Sequence, residues 1–95
     1  MAAYLLVNID VTDPVRYADY IKLTPATIEQ YGGRYLVRGG RAERLEGTVE
    51  PKRVVVLEFE SAERARAWWS SEEYAGARAI RQSSSKTDLI LVDGV

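Results

Sequence analysis

Four polar residues that could do chemistry lie on segments of the chain that are predicted to be strands. Asn8 and Asp10 belong to YLLVNIDV, Arg38 ends RYLVR, and Glu58 lies in RVVVLEFE. Because side chains alternate along a strand, an unbroken alternation places these residues on the same face of a sheet. A carboxylate there could act as a general base, and an arginine could stabilise an oxyanion. Glu58 and Arg38 are therefore the candidate catalytic residues, and all four are candidate ligand-binding residues.

The composition excludes several kinds of site. The 95 residues include no histidine and no cysteine, which removes Ser-His-Asp triads, thiolate nucleophiles and histidine-held haem. We therefore expect no metal site and no cofactor. The net charge of -1 does not favour nucleic-acid binding, and no apolar run approaches the roughly 20 residues of a membrane span. With no basic leader segment, the chain is expected to be a cytoplasmic protein of one domain, residues 1–95.

The pattern of apolar, capping and turn residues predicts the element order β-α-β-β-α-β. Pro14 is typical of a helix start, Pro25 is expected to kink or break that helix, and Gly32 is the expected residue after its end. Ser70 and Glu73 have the spacing of a capping box, so the second helical region should restart there. The predicted strands are 4–11, 34–38, 53–60 and 87–93, with a charged arm at 41–52. This order is that of the ferredoxin-like fold, an α+β architecture with a four-stranded antiparallel sheet and both helical regions on one face.

Both faces of the predicted sheet are rich in apolar residues. The face expected under the helices comprises Val7, Ile9, Val11, Tyr35, Val37, Val55, Leu57, Phe59, Ile90 and Val92. The apolar members of the opposite face are Leu6, Leu36, Val54, Val56, Leu89 and Leu91. A sheet face in contact with water is mostly polar, so we expect a second copy of the chain to cover this face. Enclosed in such a homodimer, Arg38 and Glu58 need a partner or a ligand, because an isolated buried charge is very unfavourable.

The polar candidates also have purely structural explanations. Arg38 and Glu58 could form an ion pair within the dimer, and the sequence does not fix the register that sets their distance. Asn8 and Asp10 could satisfy backbone groups near a strand end. Arg81 could bind an anion, but a solvated helix face is the ordinary expectation for it.

Aromatic residues could form the wall of a pocket. Trp68 and Trp69 are adjacent, so only one of them can face the core. Trp69 and Tyr74 are candidate ligand-binding residues, although such aromatics more often serve only packing. Tyr17 and Tyr20, near the start of the first helix, could edge a pocket, although tyrosines that pack by their rings and hydrogen-bond by their hydroxyls are common.

The strings YGGRYLVRGG, LEG, PKRVVVLEFES and WWSSEEY, Arg81 and the closing LILVDGV resemble the domain-of-unknown-function 1330 family. Glu72 departs from the family pattern, which often has proline in a Ser-Pro-Glu-Tyr turn. The resemblance implies a dimeric α/β barrel made from two ferredoxin-like subunits, and it implies no activity. The superfamily resembles small cofactor-independent monooxygenases, isomerases and dehydratases, which is an analogy of fold.

Two functions follow as hypotheses. The first is a homodimeric protein that binds a small organic molecule in a cavity at the sheet face. The second is a cofactor-independent enzyme, similar to monooxygenases or isomerases, in which Glu58 moves a proton and Arg38 stabilises an enolate-like oxyanion. A dimer with a filled barrel and no ligand is the purely structural alternative.

Overall fold

The computed structural model describes residues 1–95 as four strands and three helices. The strands are β1 (Ala3–Val11), β2 (Arg34–Gly40), β3 (Arg53–Phe59) and β4 (Ser85–Asp93). The helices are α1 (Pro14–Gln30), α2 (Ala62–Trp69) and α3 (Glu72–Ser84). The strands form one antiparallel sheet in the order β2-β3-β1-β4. The predicted ferredoxin-like α+β fold is therefore confirmed. No helix of the chain combines the length and the apolar character needed to cross a membrane.

Side-chain caps fix where each helix begins. Asp13, Ser61 and Ser71 each accept a hydrogen bond from the backbone amide three residues further on. The predicted cap at Ser70 is wrong by one residue, because Ser70 instead closes the end of α2. The predicted break at Pro25 is also wrong, since α1 continues through it. One lost backbone hydrogen bond is outweighed by the buried side of that helix, whose packing supplies most of a helix's stability.

The hydrophobic core lies between the three helices and one face of the sheet. Its buried members are Leu5, Val7, Ile9, Tyr17, Tyr20, Ile28, Val55, Leu57, Phe59, Ala65, Trp68, Tyr74 and Ala77. β1 and β3 alternate strictly between buried and partly exposed residues over most of their length, as the sequence predicts. These two central strands therefore set the position of everything that packs above the sheet.

The face predicted for the residues of β4 is wrong. Leu89 and Leu91 pack against the core, whereas Ile90 and Val92 are exposed on the outer face. Both alternating sets of positions in β4 contain apolar residues. The sequence of β4 alone therefore does not indicate which set faces the core. Antiparallel pairing decides the phase, because Leu89 lies opposite the buried Val7 of β1.

The face predicted for the end of β2 is also wrong. Tyr35 and the core residue Leu57 are paired, but the register shifts between Tyr35 and Val37. The extra residue reverses the alternation, so Val37 faces outward and Arg38 lies opposite the buried Val55. Arg38 is thus on the helix side of the sheet.

Gly33 lies too close to the core to accept a side chain. A Cβ added there would be 2.6 Å from the Phe59 ring and 2.9 Å from the Ile28 side chain. We expect Gly33→Ala to lower the free energy of unfolding by about 1–3 kcal/mol through overpacking. Urea denaturation at a fixed protein concentration measures the change.

Gly76→Ala is the matched control for this substitution. Gly76 lies inside α3, and an added Cβ would meet no atom within 4 Å. The same glycine-to-alanine change should there raise stability by up to about 1 kcal/mol, because alanine favours a helix. Equal effects at the two positions would contradict the packing explanation.

Candidate functional site

A cavity opens between α1, α2 and the helix side of the sheet. Its free space is about 440 Å³ when the part open to solvent is included. The lining residues are Val7, Ile9, Tyr17, Tyr20, Ile21, Thr24, Ile28, Tyr35, Arg38, Arg53, Val55, Leu57, Trp68 and Leu89. The centre of a water molecule can reach about 30 Å³ of this space, which is enough for on the order of two water molecules. The cavity is therefore narrow, apolar over most of its wall, and open at one side.

Trp68 forms a fixed part of the cavity wall. Its ring is buried, with its centroid 4.0 Å from that of Tyr74 and 5.6 Å from that of Phe59. Its indole Nε1 donates a hydrogen bond of 3.0 Å to Thr27 Oγ1 on α1. With packing and a hydrogen bond both satisfied, the ring is held in one position.

A chain of buried hydroxyl groups runs from the cavity wall into the protein. The hydroxyls of Tyr20 and Tyr74 share a hydrogen bond of 2.7 Å, and Arg81 Nε donates to the Tyr74 hydroxyl at 3.3 Å. Arg81 is only 5% exposed, so its predicted location on a solvated helix face is wrong. Burial is the main cause that raises the pKa of Tyr20, and the neighbouring Tyr74 raises this pKa further. Tyr20 is therefore a neutral hydroxyl at physiological pH and does not act as a base.

Two arginines lie at the cavity with no carboxylate beside them. The Arg38 guanidinium carbon is 4.6 Å from the centroid of the Tyr35 ring. Burial raises the pKa of Tyr17, and the nearby positive charge of Arg53 opposes that rise. No aspartate or glutamate belongs to the lining. The cavity thus combines aromatic walls, neutral hydroxyls and positive charge.

The structure does not bring the predicted catalytic pair together. Glu58 lies on the outer face of the sheet, where its Oε1 accepts a hydrogen bond of 2.6 Å from Arg34 Nε. Arg38 lines the cavity on the opposite face. The sheet itself therefore separates the two residues.

The predicted pair Asn8 and Asp10 lies on the outer side of β1. The Asn8 side chain donates to the Glu50 carbonyl oxygen at 3.0 Å and accepts from the Lys52 amide at 2.8 Å. Asn8 thereby holds the end of the irregular segment 41–52 against the sheet. Asp10 is exposed beside it, in a shallow polar cleft separate from the cavity.

The two aromatic candidates also lie outside the cavity lining. Trp69 is 42% exposed, and the guanidinium carbon of Arg78 is 5.3 Å from the centroid of its ring. Tyr74 is fully buried and supports the wall from behind. The prediction that only one of the adjacent tryptophans faces the core is confirmed, and the buried one is Trp68.

The sequence contained a signal for one cavity residue that is absent from the predicted set. Arg53 precedes Val55, Leu57 and Phe59 at steps of two, so the same alternation places it on the helix side. The location of Arg38 had no such signal, because it depends on the register shift in β2.

The fold places the chain among ferredoxin-like α+β proteins, and its sequence identifies the family within them. The family model of the domain of unknown function (DUF1330) matches residues 2–95. The chain therefore belongs to that family, as its motifs indicate. No curated protein matches the chain in sequence.

Several solved structures share this fold. A protein of unknown function from Rhodopseudomonas palustris has a TM-score of 0.82 and 18% identity, with 99% of this chain and 82% of that chain covered. A dimeric ferredoxin-like protein of unknown function from Jannaschia sp. has a TM-score of 0.73 and 13% identity, covering 99% and 100%. SnoaB, a cofactor-independent oxygenase from Streptomyces nogalater, has a TM-score of 0.68 and 11% identity, covering 99% and 93%. At these identities the likeness concerns the fold alone.

The hydroxyl chain behind the cavity wall should contribute to stability. Tyr74→Phe leaves the buried hydroxyl of Tyr20 and Nε of Arg81 without their hydrogen-bond partner. We expect the free energy of unfolding to fall by about 1–3 kcal/mol, which urea denaturation measures. Tyr31→Phe is the control, because its hydroxyl donates to the exposed Glu73. The free energy of unfolding of Tyr31→Phe should be within about 0.5 kcal/mol of that of the unchanged protein. Comparable losses of stability in both variants would contradict a special role for the buried hydroxyl chain.

Proposed function

We propose that this protein is a cytoplasmic homodimer that binds a small organic molecule in the cavity between the helices and the sheet of each subunit. The observation that carries this proposal is the cavity itself, in which 11 of 14 lining residues are hydrophobic. Native cores are close-packed, so an open apolar cavity at a rigid aromatic wall is unusual unless something occupies it. The proposed site differs from the sequence-based prediction, which placed a cavity on the outer sheet face.

The cavity as it stands has room for about two water molecules, so a ligand of about one ring requires the opening to widen. Its free space of about 440 Å³ includes open solvent, and the interior is narrow. Tyr20 and Tyr35 contribute aromatic rings to the wall, against which an aromatic or planar molecule can pack. Ile21 and Arg38 line the same cavity and are exposed, so a change of their rotamers can widen the opening.

The outer face of the sheet supports the homodimer. Leu6 and Ile90 are paired across neighbouring strands and remain exposed, beside the half-buried Val54 and Val56. A contiguous apolar surface of this kind typically marks an interface. A second copy of the chain is the proposed occupant, in keeping with the dimeric state of the similar Jannaschia protein.

A charge placed on the outer face should dissociate the dimer. We expect the unchanged protein to have twice the chain mass of 10.7 kDa and the Ile90→Arg variant to have the mass of a single chain. The reason is that a buried, unpaired charge is strongly unfavourable. Native mass spectrometry or sedimentation velocity measures the mass. Val15→Arg is the control, because Val15 is 85% exposed on α1, and a monomeric unchanged protein would contradict the proposal.

Ligand binding can be followed through the tryptophan in the cavity wall. In a Trp69→Phe background, Trp68 is the sole tryptophan and reports on the cavity directly. We expect the neutral single-ring compound benzamide to change the Trp68 fluorescence saturably, since the ring would lie in the cavity whose wall includes the indole. Fluorescence titration gives the dissociation constant, and native mass spectrometry of gently purified protein detects any retained ligand.

A pair of substitutions on α1 tests whether this binding occurs in the cavity. Ile21→Phe narrows the opening and should weaken benzamide binding by about tenfold, whereas Leu23→Phe lies outside the lining and should not change it. Unchanged fluorescence, or equal affinities in the two variants, would contradict the proposed site.

A cofactor-independent enzyme remains the second candidate function. The pair Arg38 and Arg53 favours it, because guanidinium groups can stabilise the oxygen of an enolate or phenolate. The general base originally assigned to Glu58 is not available there, since Glu58 faces away from the cavity. In this version the substrate would release its proton to solvent water, because the positive field of the arginines lowers the substrate's pKa and no carboxylate belongs to the lining.

A further inference from the structure

We infer that the molecule bound in the cavity carries an oxyanion, such as a carboxylate or an enolate, which is held by the guanidinium groups of Arg53 and Arg38. This inference rests on the binding function proposed above and adds the chemical class of the ligand. Three independent features of the cavity support it: an unpartnered donor, a glycine that makes room for it, and an uncompensated charge.

The unpartnered donor is Nε of Arg53. This atom is buried and has no hydrogen-bond acceptor in the protein. Buried polar atoms of native proteins nearly always have a partner, and Nε lacks one although the same guanidinium is hydrogen-bonded to the Tyr17 hydroxyl. Arg53 lines the cavity, so after a change of its rotamer a ligand there can provide the missing acceptor.

Gly39 makes room for the Arg53 guanidinium. A Cβ added at Gly39 would lie 2.7 Å from Arg53 Cζ, inside van der Waals contact. Gly39 also has φ of +68°, a conformation that favours glycine. The guanidinium therefore lies directly against the backbone of β2, next to the residue that carries the second arginine.

The positive charge at this position has no negative partner within the chain. The two ion pairs of the protein, Arg34–Glu58 and Arg44–Glu50, involve other residues. The Tyr35 ring beneath Arg38 contributes a cation–π contact, which does not neutralise the charge. An anionic oxygen between the two arginines would supply both the missing acceptor and the counter-charge.

A comparison of benzoate with benzamide tests the inference, because the two share a ring and differ in charge at neutral pH. With Trp68 fluorescence in the Trp69→Phe background, we expect benzoate to bind at least about tenfold more tightly than benzamide. Arg53→Met should reduce that preference to within about twofold. Arg66→Met removes an exposed arginine of α2 that lies outside the cavity, and it should keep the preference.

Gly39→Ala provides a second test that leaves the charge in place. The added methyl group should displace the Arg53 guanidinium and abolish the preference for benzoate. Gly47→Ala is the matched control, since Gly47 also has a positive φ, of +93°, but an added Cβ there meets no atom within 4 Å. Circular dichroism of each variant confirms that it is folded.

The possible results separate the two proposals. A preference that is lost in Arg53→Met and Gly39→Ala and kept in both controls supports the inference. Equal binding of benzoate and benzamide overturns the inference and leaves the binding function standing. A preference lost equally in Arg66→Met overturns it too, because the effect would then reflect general charge. Binding of neither compound overturns both proposals.

Discussion

The register shifts in β2 are the constraint on which the candidate site depends. Between Tyr35 and Val37, and again between Arg38 and Gly40, the strand contains more residues than its partner β3. The first shift turns Arg38 from the outer face to the cavity, and the second coincides with the positive φ of Gly39. Without the first shift, Arg38 would lie on the side of Glu58. One irregular edge strand thus brings Arg38 to the apolar opening that Arg53 of β3 also lines.

The remainder of the cavity is made rigid by groups that lie behind its surface. Tyr74 and Arg81 do not belong to the lining, yet they hold the Tyr20 hydroxyl in place through hydrogen bonds. Trp68 is held by Phe59 and by the hydroxyl of Thr27 in a similar way. A preformed wall of this kind loses little conformational freedom when a ligand binds. The Arg38 side chain at the opening is less restrained than this wall, since it is exposed.

The sheet has a different task on each side. On the helix side, β1 and β3 supply the buried residues that support the cavity. On the outer side, the apolar surface around Leu6 and Ile90 is flanked by the Arg34–Glu58 pair, whose arginine side chain is 70% exposed. An exposed pair of this kind contributes on the order of 0–1 kcal/mol to the stability of one chain. Its significance increases if a second subunit covers that face, because the pair then also helps to set how the two copies align.

The sequence by itself determined the element order, the ferredoxin-like fold, the helix start at Pro14, and the division between Trp68 and Trp69. These features follow from local spacing, because caps, turns and the alternation of β1 and β3 depend on neighbours in the chain. Only the tertiary structure decided the phase of β4, since its run of apolar residues fits either face until it pairs with β1. The location of Arg38 was decided in the same way, because a register shift is a property of two paired strands. A site made of residues from several elements therefore depends on register, which no single segment specifies.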